Sequence, residues 1–78
     1  MNEKNVNIQE YILNQCRKNK IPLTILLKNG VPIAGTLLCF DRFTILVQSD
    51  RKTSLLFKNM ISTIIPLEAI ELPIHEEP

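Results

Sequence analysis

Apolar residues change their spacing at Pro22. Upstream of it, Ile8, Tyr11, Ile12, Gln15 and Cys16 fall on one side at helical spacing, and the other side is polar. Asn7 stands three residues before Glu10, in the manner of a capping box, so the Asn7 side chain is expected to accept from the Glu10 amide. The helix is expected to run to about Asn19. Pro22, which has no amide hydrogen and clashes with a preceding turn, prevents its continuation.

Downstream, short runs of Leu, Ile, Val and Thr alternate with turn residues, which is the texture of strands. Leu23 to Lys28 is the first run. Asn29-Gly30 marks a hairpin, because both residues tolerate positive φ. Val31 to Cys39 returns as the second strand, and Gly35 inside it marks a bend or a close backbone approach. Phe40-Asp41-Arg42-Phe43 interrupts the pattern. Thr44 to Gln48 is the third strand, Thr53 to Lys58 the fourth and Ile61 to Ile65 the fifth, which ends at Pro66. Asp41 has no close carboxylate partner in sequence and suits a turn or loop anchor. One helix followed by five closely connected strands predicts a mainly β fold, a small and strongly bent antiparallel barrel.

Length bears on how such a barrel is completed. A chain of 78 residues, 45% of them hydrophobic, makes one domain with limited capacity to bury its own surface. Strands four and five carry no charges at their centres, and unguarded edges must be covered or paired. Pairing between copies, repeated with rotation, closes into a ring. The competing expectation is a compact monomer. No apolar run reaches the roughly 18–20 residues needed to cross a membrane. Residues 1–10 are polar and lack the apolar core of a secretion signal. Cys16 and Cys39 are far apart and form no paired motif, so both are expected to be reduced, buried small hydrophobes in a cytoplasmic protein.

The net charge of +1 hides an asymmetry. Residues 1–66 hold all nine basic residues against four acidic ones, a balance of +5, and residues 67–78 hold four glutamates and no cation, a balance of −4. A basic body with an acidic tail fits a polyanion partner; ordinary solubility charge is the competing explanation. Enzyme signatures are missing. The single histidine, His75, lies in the acidic tail, no phosphate-cradling or nucleophile-elbow motif occurs, and two glycines in the whole chain leave little material for a phosphate loop. No cofactor and no metal site is expected.

Two stretches are more specific. Ile21-Pro22-Leu23-Thr24-Ile25, then Asn29-Gly30, Gly35 and Phe40-Asp41-Arg42-Phe43-Thr44-Ile45-Leu46 resemble the first Sm motif. Phe57-Lys58-Asn59-Met60-Ile61-Ser62-Thr63-Ile64-Ile65-Pro66 resembles the second in its bacterial form. Over about residues 7–66 the chain is similar to Hfq, the bacterial Sm-like RNA chaperone family. The resemblance implies a homohexameric ring with the helix on a proximal face and strand surfaces on a distal face. It also implies binding of small regulatory RNAs and messenger RNAs, whose pairing family members promote in post-transcriptional regulation. The domain is then 7–66, with a flexible stretch at 1–6 and an acidic, mostly flexible tail at 67–78.

The resemblance also assigns residues. A proximal uridine pocket maps to Gln9, Arg42, Phe43, Lys58 and Asn59. A basic rim maps to Arg17, Lys18 and Lys20 with Phe40 nearby; without the family, three cations at a helix end are more often dipole compensation and solubility charge. Distal lining maps to Leu26, Gly30, Val31, Ile33, Ser54 and Thr63. The departures from the family pattern matter. Arg42 replaces an amide and Asn59 a histidine, so a proximal site with weaker uridine selectivity and steeper salt dependence is expected. Leu26 replaces an aromatic ring, and Pro32 and Ala34 replace polar residues, so the distal face is expected to be weakened. The alternative function is an Sm-fold assembly or modulator protein with reduced RNA binding.

Overall fold

The computed structural model describes residues 7–72, so the expectations for 1–6 and for the tail beyond 72 lie outside the described residues. Helix α1 spans Ile8–Lys18, and strands β1 to β5 span Pro22–Leu27, Pro32–Phe40, Thr44–Ser49, Lys52–Phe57 and Ile61–Pro66. They form one antiparallel sheet in the order β4-β3-β2-β1-β5. The two runs without central charges, β4 and β5, are therefore the two edges.

The ends of α1 are closed as its sequence dictates. The Glu10 amide donates to the Asn7 side chain at 3.0 Å. At the other end the Ile21 amide donates to the Cys16 carbonyl at 3.0 Å. That bond requires Lys20 to adopt a left-handed conformation, with φ 54°. This is a Schellman closure with lysine where glycine is usual, and the buried contact of Ile21 with the last helical turn accompanies it. The helix seats differently from the stripe read in sequence. Leu13 and Cys16 are fully buried, whereas Ile8 is 55% exposed. Leu13, three residues before Cys16, is the true centre of the buried face, and Ile8 lies in the first turn, outside it.

Leu13 and Cys16 pack with Ile21, Leu23, Ile25, Leu37, Ile45 and Val47 into one core. Along β1 and β3 the buried residues alternate, as a sheet with one covered face requires. Strand β2 breaks the alternation with a register shift between Leu37 and Cys39. The bulge turns both Leu38 and Cys39 outward, so Cys39 is exposed and only Cys16 is buried. A second shift lies between Leu26 and Leu27 where β1 meets β5. Bulges increase local twist and bend the sheet. At Gly35 the strands approach closely: a Cβ there would stand 2.5 Å from the Gln48 carbonyl oxygen and 2.8 Å from Val47 Cγ1.

The hairpin at Asn29-Gly30 is a three-residue loop. The Leu27 amide donates to the Val31 carbonyl and the Gly30 amide to the Leu27 carbonyl, each at 2.9 Å. Gly30 alone takes positive φ, at 91°, while the Asn29 side chain accepts from the Val31 amide at 3.0 Å. Residues 67–72 form no helix or strand. They are nevertheless attached, because the Leu67 amide donates to the Pro22 carbonyl at 2.9 Å, Tyr11 Oη donates to the Glu71 carbonyl at 2.6 Å, and Ile70 packs against the core.

Candidate nucleic-acid interface

The loop between β2 and β3 is built around one oxygen. Asp41 Oδ1 accepts from the Phe43 amide at 2.9 Å, from the Thr44 amide at 2.8 Å and from Thr44 Oγ1 at 2.8 Å. The Asp41 amide in turn donates to the Thr44 carbonyl at 2.9 Å. The Thr44 hydroxyl, followed by the two backbone amides, holds the Asp41 carboxyl below its ordinary value, and the nearby charge of Lys58 acts in the same direction. With the loop held in this way, Phe43 projects outward at 69% exposure.

A second connection brings Lys58 beside it. Thr44 faces Phe57 across β3 and β4, and the Lys58 amide donates to the Phe43 carbonyl at 2.8 Å. Lys58 and Asn59 lie in the short 3-10 turn Lys58–Met60 that joins β4 to β5. Three adjoining hollows result. One, of about 370 Å³, is lined by Arg42, Phe43, Phe57, Lys58 and Asn59. The next, of about 280 Å³, includes Gln9, Phe40, Arg42 and Lys58. The third, of about 210 Å³, joins Gln9 and Lys58 to Ile61 and Ser62. The five residues mapped to the proximal pocket thus share one continuous surface, with Lys58 common to all three hollows.

Two cations lie over rings on this surface. Arg42 Cζ is 5.7 Å from the Phe43 centroid and Lys58 Nζ is 5.5 Å from the Phe40 centroid. Both distances fall within the roughly 6 Å reach of a cation–π contact. Phe40, mapped by resemblance with the rim, therefore lies in the hollow with Gln9 and Lys58. Phe57 was not singled out in sequence; its place opposite Thr44 in the β3–β4 register is the signal that finds it.

The remaining mapped residues lie elsewhere. Arg17, Lys18 and Lys20 are exposed at the end of α1, and Arg17 donates to the Asn14 side chain at 3.0 Å. Val31, Ile33 and Ser54 line a separate hollow of about 390 Å³ together with Pro32, Ala34 and Lys52. Leu26 pairs with Pro32 on one side and Thr63 on the other, and Gly30 sits in the adjoining turn. An exposed ring for base stacking is present at Phe43; the strand surface around Leu26 offers aliphatic side chains. Among the described residues no group of three or more His, Cys, Asp or Glu side chains is arranged to hold a metal ion, and no helix is long and apolar enough to cross a membrane.

A capped helix followed by one five-stranded antiparallel sheet, bent by two bulges and ending in a short turn between β4 and β5, defines an Sm-like protein. The family model described as Hfq protein matches residues 8–71. The chain is 50% identical over 78 residues to the RNA-binding protein Hfq of Leptospira biflexa serovar Patoc (strain Patoc 1 / Ames), covering 100% of this chain and 93% of that one. It is 43% identical over 72 residues to the RNA-binding protein Hfq of Syntrophomonas wolfei, covering 92% and 88%. Among solved structures, a crystal structure described as the pleiotropic translational regulator Hfq superposes with a TM-score of 0.74 at 29% identity, over 76% of this chain and 98% of the other. An Hfq protein from Anabaena sp. superposes with a TM-score of 0.68 at 26% identity, over 74% and 93%. The chain belongs to the Hfq family.

Proposed function

We propose that the chain is an RNA-binding, ring-forming subunit that acts as an RNA chaperone in the cytoplasm, pairing small regulatory RNAs with messenger RNAs, and that it has no catalytic role. The observation that carries this reading is the surface around Lys58: an exposed ring at Phe43, cations at Arg42 and Lys58, and amides at Gln9 and Asn59. Each part has a use in holding single-stranded RNA. A splayed base stacks on the Phe43 ring, an interaction worth roughly 1–3 kcal/mol per base. Lys58 donates to a base carbonyl or a phosphate, and the amides complete hydrogen bonds at a base edge. The names of the relatives support the same partner.

Residues 7–66 act as the domain and 67–78 as an acidic tail on this reading. Edges β4 and β5 pair between copies and complete a homohexameric ring, which brings six copies of the Phe43 surface around one axis. Arg17, Lys18 and Lys20 contact phosphates at the rim through salt-sensitive electrostatics. The distal residues Leu26, Gly30, Val31, Ile33, Ser54 and Thr63 contribute less, because aliphatic side chains forgo the stacking term.

The test is a titration of the purified protein with short oligouridylate and oligoadenylate across a salt series. Uridylate is expected to bind at low salt and to be lost on Phe43→Ala or Lys58→Ala. Failure to bind either RNA at low salt would sink the RNA reading and favour an assembly protein. Tight binding of oligoadenylate to the Leu26 face would overturn the distal part.

A further inference from the structure

Lys58 borders all three hollows of the candidate site, and its long flexible stem can carry the ammonium toward any of them. A ligand held by a freely swinging ammonium must first immobilise it, and that ordering weakens binding. Two contacts limit the swing. The Lys58 amide donates to the Phe43 carbonyl at 2.8 Å, which fixes the root of the side chain. At the tip, Lys58 Nζ lies over the Phe40 ring, 5.5 Å from its centroid.

Phe40 is placed to hold a cation still. It ends β2, pairs with Ile45 across the sheet and packs against the core. Phe40 and Lys58 are both half-buried, whereas the other cation–ring pair, Arg42 over Phe43, joins two exposed side chains. Cation–π attraction grows as water is excluded, so the Phe40 pair is the firmer of the two. Of the three hollows, Phe40 lines the one shared by Gln9, Arg42 and Lys58, and none of Arg17, Lys18 and Lys20 lines it. A ring that packs on the core and carries an ammonium has little face left for a base, whereas Phe43 is 69% exposed.

We infer that Phe40 is a positioning residue: it holds the Lys58 ammonium on the Gln9 side of the surface, so that a nucleotide meets both groups together, and it does not itself contact RNA at the rim. The inference rests on the reading of the Phe43 surface as an RNA site. Phe40 acts through Lys58 alone. Electron density on the ring face attracts the ammonium, so the electronics of the ring set how firmly that cation is placed.

Fluorinated phenylalanines at position 40 test this with little change of shape, because each added fluorine withdraws density from the ring face and weakens its hold on a cation. The full chain is titrated with dye-labelled hexauridylate at one low salt concentration. Affinity is expected to fall stepwise from phenylalanine to its trifluoro form, by about three- to tenfold in all. Phe40→Leu is expected to fall as far, and Phe40→Tyr, which keeps the ring, to stay within about twofold. The Lys58 ε-methylene protons, shielded by the ring, are expected upfield of those of the exposed lysines and to lose that displacement in Phe40→Leu. Affinity that is unchanged or rises along the fluorine series, or Lys58 protons that coincide with those of the exposed lysines in the parent chain, would overturn the inference while leaving the RNA site standing. Labelled hexauridylate that does not bind the parent chain at low salt removes the site reading and the inference together.

Discussion

Asp41 accepts the three hydrogen bonds that shape the loop presenting Phe43. The carboxyl titrates lower in the folded chain than in the unfolded one, where a value of about 3.9 applies. A depressed folded value means that its contribution to stability is fully present above the unfolded value and is lost as pH falls through the folded one. Uridylate affinity is therefore expected to be insensitive to Asp41 between about pH 7 and about pH 5 and to fail below the carboxylate range, measurable by following the Thr44 amide resonance during an acid titration. Asp41→Ala is expected to weaken uridylate binding severalfold at neutral pH while the core stays folded, because the Asp41 side chain is exposed and outside the core cluster. Phe43→Ala removes a side chain that is 69% exposed, so its loss is expected in affinity, about 1–3 kcal/mol per stacked base, with little change in melting temperature. The two thiols separate cleanly by the same logic. Burial pushes the Cys16 thiol up, whereas Cys39 is exposed; one equivalent of a thiol reagent is expected to react in native protein and the second only on unfolding.

At the scale of elements, local chemistry sets most of what is legible in the sequence. Asn7, Pro22 and Gly30 each impose a conformation on their own few residues, so one helix and five strands are legible in order and nearly in extent. What could not be read depended on contacts between elements. The bulge at Leu38 is set by how β2 meets β3, and it moved Cys39 from the expected core to the surface. The seating of α1 on the sheet selected Leu13 over Ile8, although both suit a helix face. At the candidate site, the five residues mapped by resemblance do share a surface, while Phe57 joined it only through strand register and Phe40 lies beside Lys58 and Gln9. Two substitutions test the element-scale account. Gly35→Ala is expected to destabilise the sheet by roughly 1–3 kcal/mol, because its Cβ meets the β3 backbone and cannot relax without separating the strands. Lys20→Gly is expected to stabilise by about 1 kcal/mol, by relieving a left-handed lysine at the helix end, and to reduce salt-sensitive RNA binding at the same time. Chemical denaturation with both variants reads the two signs.

For the whole molecule, the decisive feature is the sheet that ends at two open edges. Leu55 and Phe57 on β4 are each 55% exposed and Ile65 on β5 is 42% exposed. A small domain with apolar residues on both edge strands is an aggregation hazard unless another chain covers them. Pairing β4 of one copy with β5 of the next is heterologous, and a rotation that closes it gives a ring instead of a filament. A ring of the kind proposed would concentrate the cations of the Phe43 surface around one axis and give a polyanion several contacts at once. Assembly and RNA binding are therefore one claim. Sedimentation of the full chain at micromolar concentration, tracked through the dye on hexauridylate, tests it most directly. The account predicts that the RNA travels with a particle of about six 8.9 kDa chains; protein that sediments as a single chain, or a ring that leaves the RNA behind, would contradict it.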